Sequence, residues 1–181
     1  MADLTKEMFS KTILQNEGEA FTNYANDLPT KYGVVPSDIQ ECVDDGLLPK
    51  SCLEDAVQYI KNLDVNNALT IHKHQYFDKL SLSRIIYQDI AAKLFDMALP
   101  MGRKAVVKCA QRTVRSVSQG ATVLEEDGVM GKDTINAING CFHSTFLASF
   151  RSECAAYYRM TSISHPEKKE YLRGWLNRAY Q

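Results

Sequence analysis

Apolar residues recur three and four apart along nearly the whole chain, and no stretch alternates with period two long enough to build a substantial sheet. That regularity confines the fold to the all-α class, with at most a small β-hairpin or loop near residues 20–35. Leu4, Met8, Phe9, Thr12 and Ile13 share one face of a first helix, which Gly18 can end as a left-handed cap. Residues 19–36 hold Asn, Asp, Pro and Gly between short aromatic runs and read as a loop or small hairpin closed by Pro36. Ser51 and Glu54 have the spacing of a capping box, before a helix that turns Ala56, Tyr59, Ile60 and Leu63 inward. Residues 66–76 read as helical. Leu82, Ile85, Ile86, Ile90, Leu94 and Met97 mark a strongly apolar, central helix that Pro100 and Gly102 break.

The second half continues the pattern. A helix over residues 103–117 buries Val106, Cys109, Ala110, Thr113 and Val114. Residues 118–120 and Asp127-Gly128 are turn signals, and Asp133 can cap a short helix running through Asn139. Phe142, Phe146, Phe150, Cys154 and Tyr157 line one face of a long helix. His165-Pro166 interrupts it. A last helix presents Tyr171, Leu172, Trp175 and Leu176, with Trp175 read as core packing rather than a sugar platform.

A chain of 181 residues, 45% hydrophobic and 24% charged, suits one compact soluble domain over 1–181. A chain this long buries about 70% of its unfolded surface, so it needs no metal or disulfide to fold. The net charge of −1 argues against a whole-molecule polyanion binder. The first residues lack a basic segment followed by an apolar run, so no secretory signal is read there. No window approaches the roughly 18 apolar residues of a membrane span. The expectation is a soluble monomer made in the cytoplasm, without stable membrane insertion. Five scattered cysteines with no C-x-x-C pair read as free, mostly buried thiols. His72 and His74 are two apart and do not face each other on a helix, while His143 and His165 lie far off. No metal or other cofactor is implied. Phosphate-binding loops, dinucleotide fingerprints and G-x-S-x-G elbows are absent from the sequence.

Chemistry concentrates in residues 17–33, E-G-E-A-F-T-N-Y-A-N-D-L-P-T-K-Y-G. A helix leads into Glu17, glycine follows at once, and a polar, turn-rich run carries Asn26, Asp27 and Thr30. Cutting a sugar–sugar bond needs a proton donor beside the leaving oxygen and a group opposite it for water or positive charge. Glu17 stands four residues after Ile13, with its root beside the apolar face. Partial burial raises a carboxyl pKa, as a general acid at neutral pH requires. The plain alternative is a surface glutamate near a helix end.

The run from Ile13 to Val34 resembles the opening motif of glycoside hydrolase family 108, with its E-G-G, aromatic, polar run with Asp, and T-x-Y/F-G-I. Further likenesses follow in order. A-L-T-I-H-K-H-Q-Y-F-D, residues 68–78, is similar to the family's A-x-x-I…Y-W-D. L-F-D-M-A, residues 94–98, is similar to its F-D-x-A helix end. D-G-V-M-G-K-D-T-I-N-A-I, residues 127–138, resembles D-G-x-x-G-x-x-T-x-x-A-I of a peptidoglycan-binding-like C-terminal part. G-W-L-N-R, residues 174–178, resembles its closing motif. The resemblance implies a lysozyme-like α-helical fold and an N-acetylmuramidase cleaving the β-1,4 bond between N-acetylmuramic acid and N-acetylglucosamine. It implies Glu17 as the acid, and Asp27 stabilising an oxocarbenium-like state or activating water that Thr30 positions. Glu19, Asn26, Tyr32, Lys104 and Lys108 are then candidate substrate contacts. Residues 1–95 would carry the catalytic motif and 96–181 the peptidoglycan-binding-like half. The sequence departs from the family where Glu19 replaces a glycine and Asp27-Leu28-Pro29-Thr30 replaces D-x-G-G-x-T.

Lys104, Lys108, Arg112 and Arg115 recur at i, i+4, i+8 and i+11, and no acidic residue lies between Asp96 and Glu125. Such a stripe can hold an anionic cell wall, or be only a solvated helix face. The biological reading is a phage endolysin that reaches peptidoglycan in the periplasm after release. The rivals are an inactive wall-binding or scaffold protein with the same fold and a helical nucleic-acid binder, the latter disfavoured by the net charge.

Overall fold

The structure is a computed structural model that describes residues 22–24, 28–118 and 124–181. The expected first helix, its Gly18 cap, and Glu17, Glu19, Asn26 and Asp27 lie outside the described residues. Among those described, eight α-helices and one two-stranded hairpin form an all-α, lysozyme-like fold. The chain divides into two compact units, one ending at Ser83 and the other spanning Arg84–Gln181.

The described part of the first unit begins with the hairpin, near residues 20–35 as the sequence allows. Strand β1 (Thr22–Tyr24) pairs antiparallel with β2 (Leu28–Thr30), Thr22 opposite Thr30. Helix α1 (Pro36–Asp44) follows. The sequence reading takes Pro36 as the close of a loop; here it opens a helix. Proline at the first helical position fixes φ and lacks only an N–H that no helical carbonyl would accept. Asp38, two residues on, accepts the Val35 N–H at 3.0 Å and anchors the entry. Helix α2 (Ala56–Lys61) starts later than the Ser51/Glu54 spacing implies. Residues Lys50–Leu53 form a 3₁₀ turn, and Asp55 is the cap, its Oδ1 accepting from Gln58 N at 2.9 Å. Aspartate directly before the helix meets the unbonded amides better than a serine four residues upstream. Ile60 and Leu63 are buried as expected. Helix α3 (Val65–His72), capped by Asp64, runs into a π-helical turn, Lys73–Asp78. Val34, Ile39, Cys42, Ile60, Ala68, Ile71 and Phe77 are all within 2% of full burial.

The second unit is a helical body: α4 (Gln88–Met101), α5 (Arg103–Val117), α6 (Lys132–Gly140), α7 (His143–Ser164) and α8 (Leu172–Tyr180). The expected central helix begins only at Gln88. Before it, the Asn139 side chain accepts from Ile86 N at 2.9 Å and donates to Arg84 O at 3.0 Å. It thereby takes up backbone groups that an earlier helix would have used. Ile86 is consequently 61% exposed. Pro100 lies inside the last turn rather than ending the helix, and Gly102, at φ +81°, makes the break.

Helix α5 buries the five expected residues and adds Val107 and Gln111. Gly131, not Asp133, is the residue before α6; Asp133 sits in the first turn, where its charge suits the helix dipole. On α7 the buried stripe is Phe146, Phe150, Cys154 and Tyr158, so strict fourfold spacing displaces the expected Tyr157. Phe142 stands ahead of the helix, 85% exposed. Phe146 and Phe150 stack at 5.8 Å, and each contributes about 2–3 kcal/mol by burial. Trp175 is half-buried and stacks on Tyr158 at 5.0 Å. All five cysteines are free thiols, four of them buried. Among the described residues no helix is long and apolar enough to cross a membrane.

Candidate active site

Of the proposed catalytic groups, Thr30 is the one the structure describes. It ends β2 and is buried, and its Oγ1 has no hydrogen-bond partner among the described residues. A buried hydroxyl left unpaired costs about 1–3 kcal/mol, so the Thr30 hydroxyl is open to a partner beyond the described residues, whether protein, water or substrate. Asn26 and Asp27 fall in the connection between β1 and β2.

The chain reverses directly after Thr30. Lys31 and Val34 form an antiparallel bridge with backbone bonds in both directions, 3.4 and 3.0 Å. Between them Tyr32 and Gly33 have φ of +54° and +76°. Two successive positive φ values define a tight hairpin turn of the primed type, which suits glycine but strains tyrosine. The Tyr32 side chain is buried, with the Lys31 ammonium 5.4 Å from its ring centre.

Tyr32 presents its carbonyl to His72, whose Nε2 donates across 2.7 Å. Six residues after Tyr32, Asp38 holds the Val35 amide and accepts from the Tyr76 hydroxyl at 3.3 Å. Both titratable groups are buried, and burial is the largest influence on each: it lowers the His72 pKa and raises that of Asp38. Their mutual attraction works the other way and is smaller. His72 and His74 point apart, since His74 Nε2 lies 2.9 Å from Asp45 on the surface. Sequence reasoning passed over His72 and Asp38; the one available signal was a histidine on the apolar face of A-L-T-I-H.

Lys104 and Lys108 belong to the second unit. Glycine at 128, φ +79°, lets the loop lie against them: a Cβ there would meet Lys104 Cγ at 2.7 Å and Lys108 Cγ at 3.4 Å. Gln111 clamps the same loop. Its Nε2 donates to Asp127 Oδ1 at 2.7 Å, Val129 O at 3.3 Å and Thr134 Oγ1 at 3.2 Å, and its Oε1 accepts from Gly128 N at 3.0 Å. The stripe is split chemically. Arg112 and Arg115 pair with Glu126 at 2.8 and 3.1 Å, whereas Lys104 and Lys108 make no ion pair among the described residues. Also among the described residues, no group of three or more His, Cys, Asp or Glu could hold a metal.

Two of the motif-like segments meet. Asp96, from L-F-D-M-A, accepts from Arg178 Nε, from G-W-L-N-R, at 3.0 Å. The helices and the small hairpin define a protein of lysozyme-like build. The chain belongs to glycosyl hydrolase family 108, whose model matches residues 10–102, and it is accordingly a glycoside hydrolase. That match ends at the junction of α4 and α5 and includes every described residue of the hairpin. Among solved structures the chain is similar to SagA of Brucella abortus, with 18% identity, a TM-score of 0.64, and coverage of 97% of this chain and 95% of that one. The likeness is one of fold. Comparison with curated proteins finds no match.

Proposed function

We propose that the enzyme is an N-acetylmuramidase that hydrolyses the β-1,4 bond between N-acetylmuramic acid and N-acetylglucosamine in peptidoglycan. The observation that carries this reading is the family membership, with Glu17 near the head of the matched region. Glu17 protonates the leaving glycosidic oxygen. Asp27 stabilises the oxocarbenium-like transition state or activates water, and the buried Thr30 hydroxyl, which has no partner among the described residues, positions that water. Glu19, Asn26 and Tyr32 belong to the same substrate cleft. Residues 1–95 supply the catalytic motif, and residues 96–181 add wall affinity through Lys104 and Lys108. The biological setting is a monomeric phage endolysin, made in the host cytoplasm and acting on the wall in the periplasm.

Mass analysis of muropeptides released from purified peptidoglycan tests the proposal. Products with reducing-end muramic acid are expected. Glu17→Gln should lower turnover about 10²–10⁴-fold while wall binding persists. Anhydro sugars or free amino termini would exclude the assignment, and near-normal turnover of Glu17→Gln would exclude Glu17 as the acid. Wall binding by the wild type without clearing would make the protein a scaffold instead.

A further inference from the structure

The turn after Thr30 is held by one side chain whose protonation state the geometry fixes. Tyr32 O can only accept, so the His72 nitrogen 2.7 Å away must carry a proton. The other ring nitrogen, Nδ1, is buried and has no hydrogen-bond partner among the described residues. The ring has no exposure to solvent. His72 therefore fits this site as a neutral imidazole in a single tautomer. A second proton would put a charged donor at Nδ1, where no acceptor among the described residues meets it.

We propose that His72 is a positioning residue for the proposed muramidase site: its neutral, Nε2-protonated ring holds the Tyr32–Gly33 turn, and with it Thr30, in working geometry, and a second proton, added at Nδ1, loosens this packing by placing a charge in the buried site although the Nε2–H bond itself persists. The inference rests on the muramidase reading for its catalytic consequence.

Three further observations support it. Tyr32 is a non-glycine residue at φ +54°, a backbone state that persists only where its surroundings impose it. The turn begins one residue after Thr30, so relaxation of Tyr32 moves the end of β2 directly. The charged and titratable groups facing the ring offer no easy refuge for a proton. Asp38, on α1, attracts it electrostatically, but its oxygens are engaged by Val35 N and Tyr76 OH. Tyr76, on the π-helical turn, is 5.8 Å from the ring centre and donates to Asp38. Glu41 acts on Asp38 and pairs with Lys79 at 3.0 Å. Drawing Asp38 to the imidazolium would free the Val35 amide and undo the start of α1. Burial holds the His72 pKa below its ordinary value of 6.5, so the packing loosens only in acid.

Two measurements on the full chain test this. Nitrogen-15 NMR of histidine-labelled protein should show His72 protonated at Nε2 alone at neutral pH, titrating below 6.5. An Nδ1-protonated ring, or an ordinary titration, overturns the proposal. The second is wall clearing against pH for the wild type, His72→Gln and His72→Ala, with folding checked by circular dichroism. Glutamine keeps a donor that cannot take a second proton, so His72→Gln should retain kcat near neutrality and extend activity to lower pH. His72→Ala should lose kcat about tenfold or more with KM nearly unchanged. An acid limb identical in the wild type and His72→Gln overturns the positioning role while leaving the muramidase reading standing. A wild type that clears no wall at any pH sinks the muramidase reading, and this role with it, whatever the NMR shows.

Discussion

Arg178 donates to the Asp96 carbonyl, the one that Pro100 faces four residues on in the helix. Proline has no N–H to offer Asp96, four residues back in α4. Arg178 Nη2 donates to that Asp96 oxygen at 3.1 Å, while its Nε reaches Asp96 Oδ1 at 3.0 Å. Lys93 closes the group, with Nζ 3.1 Å from Asp96 Oδ2 and 2.6 Å from the Arg178 carbonyl. A helix interior can thus hold a proline because α8 supplies the missing donor. Asp96 and Arg178 are 13% and 12% exposed, so removing one leaves the other charge poorly hydrated. Arg178→Met should destabilise by about 3 kcal/mol, lowering Tm by roughly 10 °C. Calorimetry reads this directly; a loss near zero would show that solvent replaces the arginine freely.

Gly128 is a second position where backbone geometry excludes other residues. Its φ is +79°, and a methyl group would press on Lys104 Cγ and on the Lys104 carbonyl at 3.0 Å. Gly128→Ala should cost about 1–2 kcal/mol in urea unfolding. It should also expose the loop to trypsin at Lys132, because Gln111 can no longer reach Gly128 N and Asp127 together. Unchanged proteolysis would mean that the loop absorbs the methyl group without shifting.

The helical scaffold was largely legible, because a face such as Val106–Cys109–Ala110–Thr113–Val114 is set by sequence spacing and survives packing intact. The errors fall where a distant partner overrides the local pattern. Ile86 looks helical until Asn139 takes its amide. Tyr157 and Tyr158 are equivalent in composition, and only the packing of α7 chooses Tyr158. Pro36 is equally at home ending a loop or opening a helix. At the site, the hairpin and Thr30 were readable as turn chemistry. The brace on Tyr32 was not, since His72 lies 40 residues away and only the fold brings its ring to that carbonyl.

The same histidine sets a sign for stability against pH. Its folded-state pKa lies below 6.5, so the unfolded chain binds a proton that the native chain refuses. Its contribution is complete above pH 6.5 and is lost as pH falls through the folded value. Asp127, lowered first by the Gln111 hydrogen bond and then by Val129 N–H, acts in the same direction at lower pH, below 3.8. Asp38, raised by burial, opposes both: its contribution is present below 3.8 and lost as pH rises through its folded value. The His72 part of the unfolding free energy, read from urea titrations, should therefore fall as the protein is taken from pH 7 into acid, by about 1.4 kcal/mol for each unit of His72 displacement. His72→Gln should flatten the curve just below pH 6.5, and an unchanged slope there would assign the loss to other groups.

The basic stripe yields a prediction that the sequence alone could not make. The four cations of the stripe look equivalent on α5, yet Arg112 and Arg115 pair with Glu126, and Glu153 lies 3.7 Å from Arg112. Lys104 and Lys108 make no ion pair among the described residues, and only Lys108 feels a nearby carboxylate, Asp127, at longer range. Exposed charges attract a polyanion at long range and are screened by salt over about 10 Å at 0.1 M. Lys104→Glu with Lys108→Glu should weaken sedimentation with purified wall roughly tenfold at low salt and remove most of the salt dependence. Arg115→Glu should instead lower Tm, by repelling Glu126, while leaving most of the wall affinity. If the two variants weaken wall binding equally, the stripe acts as a diffuse field and the distinction between its lysines and arginines is void.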